Sequence, residues 1–145
     1  MNIIDMLTGR AGKIDSSQHS VSLSDLRRPD APLIYVNRGF ENLTGYTKDE
    51  VVGRNCRLLQ GKDTDREAVR RIREAIDTGT PLLIDLLNYR KDGTPFWNRL
   101  SLRPVRTPDG TLTHMIGIQS DMTRLKEIEE QLHTLALEMA GERPG

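Results

Sequence analysis

Two Asp-Gly turns do most to decide how this chain can fold. Lys91-Asp92-Gly93 and Pro108-Asp109-Gly110 divide the second half into three runs, approximately 82–90, 95–105 and 111–120. Asp and Gly tolerate the left-handed backbone that tight reversals need, so the runs read as strands of an antiparallel meander. Leu33-Ile34-Tyr35-Val36, entered through Pro29 and Pro32, reads as a further strand. Short helical segments are expected through Phe40–Leu43 and Lys48–Val52, with Gly45 between them. The best internal helix spans Thr64–Asp77, where Val69, Ile72 and Ile76 recur on one face and Gly79 follows. Short helices followed by a meander define an α+β class.

Strand parity then places polar groups where a core is expected. Side chains two apart share a face, so Ile84, Leu86 and Asn88 point together, as do Asn98, Leu100 and Leu102, and Met115, Gly117 and Gln119. Each strand thus sets one amide among apolar or small neighbours. Leaving a buried amide unpaired costs about 1–3 kcal/mol. These three are expected either to satisfy one another and the backbone, or to converge on a planar ligand with donors and acceptors along one edge. The opposite faces carry Asp85 and Tyr89, Arg99 and Arg103, or His114, expected towards solvent, although Ile116 and Ile118 leave the last strand apolar on both sides.

The chain length suits one domain with short extensions: 1–19 an N-terminal extension, 20–121 the compact domain, 122–140 a C-terminal helix and 141–145 a tail. The balance of 21 basic and 21 acidic residues lacks the basic footprint of a nucleic-acid binder. Met1–Leu7 is too short and interrupted for a signal peptide or membrane span. In the terminal helix, Leu125, Ile128, Leu132, Leu135 and Met139 recur at spacings of 3, 4, 3 and 4, a heptad seam behind the capping residue Asp121. The seam can lie on the domain's own sheet or pair with a second chain; its narrowness and flanking charges favour a homodimer.

Cys56, the only cysteine, sits in Gly53-Arg54-Asn55-Cys56-Arg57-Leu58-Leu59-Gln60-Gly61. Buried structural thiols usually occupy apolar runs, whereas this one lies among amides and fixed positive charge. A single cysteine excludes an intrachain disulfide and a cysteine-rich metal site, and a reducing cytoplasm is the expected compartment.

This segment closely resembles the flavin-binding signature of LOV photoreceptor domains, a branch of the PAS fold, which reads G-R-N-C-R-F-L-Q-G. Eight of nine residues match, with Leu58 replacing phenylalanine. Asn88-Tyr89-Arg90-Lys91-Asp92-Gly93, Phe96-Trp97-Asn98, Ile116-Gly117-Ile118-Gln119, Tyr35-Val36-Asn37 and Leu43-Thr44-Gly45-Tyr46 are similar to further patterns of the family. The likeness covers roughly residues 21–121.

The resemblance implies a PAS-like antiparallel sheet with short helices enclosing a flavin. By it, Cys56 would form a reversible photoadduct at the flavin C4a, without substrate turnover. Asn88 and Asn98 would bind the pyrimidine edge, and Gln119 would reach O4 and N5. Asn55 and Gln60 would hold ribityl and ring polar groups, while Leu100 and Leu58 would pack on the ring. Arg57 and Arg73 match family phosphate ligands, and Arg70, one helical turn before Arg73, could assist. FMN is expected rather than FAD, because no long insertion separates Gly61 from the Thr64 helix. Signalling would run from Gln119 to the terminal helix or dimer interface, and from there to a separate protein effector, as in a bacterial short LOV protein.

Two other readings compete. A PAS sensor of another small ligand would use the same pocket and leave Cys56 idle. A dark catalytic role would pair Cys56 with His19, His114 or His133, none of which shows a persuasive arrangement. The isolated histidines are also poor metal ligands, and Trp97 reads as an ordinary half-buried sheet aromatic.

Overall fold

The computed structural model describes residues 3–4 and 19–141. Most of the expected N-terminal extension and residues 142–145 of the tail lie outside the described residues. The elements run β1 (Ser20–Asp25), β2 (Leu33–Val36), α1 (Arg38–Thr44), α2 (Lys48–Val51), a 3-10 turn (Cys56–Leu59), α3 (Arg66–Thr78), β3 (Leu82–Tyr89), β4 (Pro95–Arg106), β5 (Leu112–Asp121) and α4 (Thr123–Gly141). The strands form one five-stranded sheet in the order β2-β1-β5-β4-β3, with every neighbouring pair antiparallel. This is the expected α+β, PAS-like architecture.

The two turn glycines carry the meander. Gly93 and Gly110 have φ of 89° and 91°, and their amides close the turns onto Arg90 O and Thr107 O at 2.9 and 2.8 Å. Register then sets the alternation expected from parity. Along β3 and β4, Ile84, Leu86, Asn88, Phe96, Asn98, Leu100 and Leu102 are all buried, while their sequence neighbours are more exposed.

β1 has no counterpart among the strands expected from sequence. It pairs with β5 as Ser20↔Gln119, Ser22↔Gly117 and Ser24↔Met115. Directly opposed residues share a face, so β1 brings three serines onto the face that carries Gln119. Asn37 anchors the strand: its Oδ1 accepts from Val21 N and Phe40 N at 2.9 and 3.0 Å, and its Nδ2 donates to His19 O at 2.6 Å. One side chain therefore caps α1 and fixes β1.

The core divides in two. Ala68 and Ala75 of α3, with Ile72 and Ile76 beside them, pack on Ile84, Leu86, Leu100, Leu102 and Met115. Asp65 caps α3 by accepting from Glu67 N, and Thr64 lies outside the helix with its hydroxyl donating to Leu87 O at 2.6 Å. The second cluster joins Leu33, Val36, Phe40, Val51 and Leu59, with Tyr46, Cys56 and Leu58 packed against it.

One expectation about surfaces changes. His114 is buried rather than solvent-facing, at 6% exposure. Its Nδ1 lies 2.8 Å from Thr113 Oγ1 and its Nε2 lies 3.5 Å from Arg27 Nη2. Burial pushes its pKa down against the opposing pull of Asp25. The α4 stripe does not lie on the domain's own sheet: Leu132, Leu135 and Met139 are 61%, 50% and 56% exposed.

Among the described residues, the ties to α4 fall at its start. Met122 N donates to Trp97 O at 2.8 Å, and Trp97 N donates to Thr123 Oγ1 at 2.9 Å. Asp121, still within β5, accepts from Thr123 N at 2.9 Å and from Arg90 Nη2 at 2.9 Å. Lys126 reaches Asp85 at 3.0 Å and lies over the Trp97 ring, its Nζ 5.2 Å from the ring centre. None of the described helices is long and apolar enough to cross a membrane.

Asp85 is the hub of this attachment, accepting from Arg99 at 2.8 and 3.0 Å as well as from Lys126. Arg99 chiefly, and Lys126 after it, hold its pKa down to about 2 from the ordinary 3.8, against the upward pull of burial. A depressed carboxylate contributes stability that is complete above 3.8 and lost as pH falls towards 2. Asp85→Asn should cost about 1 kcal/mol or less, since the pair is partly solvated. Amide exchange in the first turn of α4 should quicken in this variant while α3 stays unchanged, and acidification through the same window should do likewise to the unaltered protein.

Candidate functional site

The nine-residue segment is pinned before it curls. Leu33 N donates to Arg54 O and Gly53 N donates to Leu33 O, both at 2.8 Å, so β2 holds it at two points. Asn55 then caps the 3-10 turn, its Oδ1 accepting from Arg57 N at 2.9 Å. The turn presents Cys56 to an enclosed cavity and seats Leu59 in the second core cluster.

That cavity is lined by Ser22 and Ser24 of β1, Asn55, Cys56, Arg57 and Gln60, Ile72 and Ile76 of α3, Leu86 and Asn88, Asn98, Leu100 and Leu102, and Met115, Gly117 and Gln119. The three amides do converge on one space with the cysteine. Leu100 lines it too. Leu58 does not; it packs with the second core cluster instead.

The amides have partners already. Asn98 Nδ2 donates to Asn88 Oδ1 at 2.9 Å, Asn98 Oδ1 accepts from Ser120 N at 3.2 Å, and Asn88 Nδ2 donates to Leu87 O at 3.3 Å. Gln119 is clamped at both ends: Oε1 accepts from Ser20 Oγ at 2.7 Å, and Nε2 donates to Ser22 Oγ at 2.8 Å. Among the described residues no buried side-chain polar atom lacks a partner. An amide nitrogen carries two N–H groups and its oxygen two lone pairs, so these bonds leave capacity on each amide for a ligand edge. Such a donor and acceptor set, walled by aliphatic side chains, fits a flavin ring.

Gly117 gives this arrangement its tightness. A Cβ there would come within 2.6 Å of Ser22 Oγ and 2.9 Å of Gln119 Nε2. Ser20 and Ser22, absent from the residues expected from sequence, hold the orientation of Gln119. Their signal was the alternation Ser20-Val21-Ser22-Leu23-Ser24.

The cavity opens into a surface groove, which shares Asn55, Arg57, Gln60, Ile72 and Ile76 with it and adds Leu26, Arg28, Asp30, Ala31, Val69, Arg73 and Asp77. Arg57 and Arg73 both border the groove, where a ligand's phosphate would be met by cationic forks. Arg70 does not border it. Its guanidinium meets Glu67 and Glu74 within α3 at 2.5 and 3.1 Å.

Burial pushes the Cys56 thiol up from 9.0 to about 11. Desolvation is the cause; the neighbouring Arg57 guanidinium meets Asp30 at 2.6–2.7 Å. The thiol is therefore neutral at ordinary pH, the wrong state for a dark nucleophile. His19, His114 and His133 do not line its cavity, and no group of three metal-binding side chains occurs among the described residues.

A PAS domain family model matches residues 23–124. Blue-light-activated histidine kinase 1 of Erythrobacter litoralis is 52% identical over 104 residues, covering 72% of this chain and 29% of the relative. Phototropin-2 of Oryza sativa is 47% identical over 114 residues, covering 79% and 13%. Among solved structures, the LOV domain of a blue-light activated histidine kinase from Erythrobacter litoralis superposes with a TM-score of 0.70 at 46% identity, covering 72% of this chain and 96% of that one. This chain belongs to the LOV domains of the PAS family. It spans less than a third of the curated relatives' length.

A half-buried, neutral thiol makes a direct prediction. The rate of iodoacetamide alkylation at Cys56 should keep climbing past pH 9 and level off only near 11. At pH 8 it should lie one to two orders of magnitude below that of an exposed cysteine (about tenfold per unit of pKa).

Proposed function

We propose that this LOV domain is a blue-light sensor that binds FMN and uses Cys56 as its photochemical residue. The observation that carries the reading is one cavity shared by the chain's only cysteine and three buried amides from three adjoining strands. A bound flavin would supply the light-driven chemistry, in which the Cys56 thiol would give its sulfur to C4a and its proton to N5, reversibly in the dark.

The chain's residues do the rest. Asn88 and Asn98 offer their remaining N–H groups and lone pairs to the ring's pyrimidine edge, and Leu100 packs against the ring. Asn55 and Gln60 stand where the cavity meets the groove, beside the ribityl chain. Arg57 and Arg73 take the phosphate. FMN suits this groove because only Lys62, Asp63 and Thr64 separate Gly61 from the cap of α3. Cys56 arrives carrying its proton, since burial keeps the thiol neutral.

Protonation at N5 would replace an acceptor facing Gln119 with a donor. An amide answers by turning over, which presents oxygen where nitrogen stood. Here turning also reverses the polarity seen by Ser20 and Ser22, whose hydroxyls can each donate or accept. Gln119 lies two residues before Asp121, which holds both Arg90 and the first amide of α4. The signal would thus leave through β5 into α4, whose apolar stripe offers a homodimer seam and a contact for a separate protein effector. A lone thiol and the absence of a long apolar helix among the described residues fit a cytoplasmic setting.

The visible spectrum in darkness, just after blue light and during recovery tests this. The expected result is a structured blue band that bleaches and returns, with Cys56→Ala retaining flavin yet failing to bleach. Protein that refuses added flavin would be a PAS sensor for another ligand; stable flavin without reversible bleaching would refute the Cys56 photocycle. Gln119→Leu should still bleach while losing most of any light-dependent change in light scattering. An unaltered scattering response in that variant would sink the signalling route.

A further inference from the structure

The loop before β2 holds an acidic side chain on the cationic fork that the preceding reading assigns to phosphate. Asp30 and Ala31 have φ of 66° and 46° and are the only described non-glycine residues with positive φ. Left-handed backbone crowds the Cβ of an L-residue, and Asp tolerates the region better than Ala. Local bonds sustain the conformation: Ala31 N donates to Arg28 O at 3.1 Å, and Asn55 Nδ2 donates to Asp30 O at 2.6 Å.

The outcome is a two-pronged ion pair. Arg57 Nη1 meets Asp30 Oδ1 at 2.7 Å, and Nη2 meets Oδ2 at 2.6 Å. A guanidinium fork suits carboxylate and phosphate equally, and it cannot give both prongs to both. Asp30, Arg57, Arg28, Arg73 and Asp77 border the same groove. A phosphate reaching Arg57 therefore meets a carboxylate already on that fork, with its charge of the same sign.

We infer that Asp30 sets how strongly this domain discriminates between a flavin bearing a terminal phosphate and one lacking it. It acts through Arg57, as a positioning residue that competes with phosphate and lowers the advantage of FMN over riboflavin. The inference rests on the flavin reading above. It concerns only the phosphate end, so the ring contacts of Asn88, Asn98 and Gln119 are untouched by it.

Flavin-stripped full chain would be titrated with FMN and, separately, with riboflavin by fluorescence quenching, in the parent, Asp30→Asn, Arg57→Gln and the double variant. Asparagine is chosen because it accepts the left-handed backbone and retains the carbonyl that Asn55 holds. Asp30→Asn should raise the FMN-to-riboflavin affinity ratio about fivefold, the scale of one exposed ion pair, while riboflavin affinity stays constant. In the Arg57→Gln background the same change should do little. A ratio that stays put or falls in Asp30→Asn, or a rise of equal size without Arg57, overturns the inference. Parent protein that binds neither flavin overturns the flavin reading, and this inference with it. Equal losses for both flavins in Asp30→Asn would mark a loop disturbance and also count against it.

Discussion

Gln119 sits between two hydroxyls, and much of the structure is arranged to keep it there. Its oxygen takes a hydrogen from Ser20 and its nitrogen gives one to Ser22, both from a strand nearly a hundred residues away in sequence. A carboxamide held at both ends has a defined orientation, which a buried amide in an aliphatic pocket would not have by itself. The clamp requires β1 beside β5 in one register, Asn37 tying β1 to α1, and a residue without a side chain at Gly117. Because both clamping groups are hydroxyls, the reversed orientation can also be satisfied. Orientation is specified while inversion stays accessible, and a two-state element needs both properties.

Much of this was legible in the sequence. The Asp-Gly turns and strand parity placed Asn88, Asn98, Leu100 and Gln119 on one face, and the signature around Cys56 indicated what chemistry to seek there. The strand β1 was not recognised, for a physical reason. Ser20, Ser22 and Ser24 share the face that borders the cavity, which Ser22 and Ser24 line, so the alternation that marks a half-buried strand is inverted, with polar residues on the cavity side. A serine-rich run next to a charged turn reads as a linker unless a polar cavity is already in mind. His114 was misplaced because parity alone says which face a side chain takes. It says nothing about whether Asp25 and Arg27 close over that face. Arg70, one helical turn before Arg73, does not line the groove that Arg73 borders; it meets Glu67 and Glu74 on its own helix, neighbours whose spacing the sequence also carries.

Polar groups around the site are shared among several tasks. Asn55 caps the Cys56 turn with its oxygen and holds the Asp30 carbonyl with its nitrogen. Cys56 itself needs no activating base in this arrangement: burial raises its pKa, and a neutral thiol carries the proton that the proposed photochemistry moves. None of the histidines that a nucleophilic mechanism would require lines its cavity.

The terminal helix is where packing leaves a question that energetics can narrow. An isolated helix of 19 residues is marginal in water. Among the described residues, the attachments of α4 to the domain fall in its first turn, through Thr123, Lys126 and the Asp121 carboxylate. Beyond that turn, Leu132, Leu135 and Met139 stay at least half exposed in register along one seam. Polar capping at one end cannot repay the conformational entropy of the remaining turns; burial of the seam can. A second copy of the chain would bury five apolar positions with self-complementary spacing. In that arrangement the hinge between β5 and α4 is the only part of the helix still governed by the sensor domain, so a small change at Asp121 would act on the geometry of the whole pair.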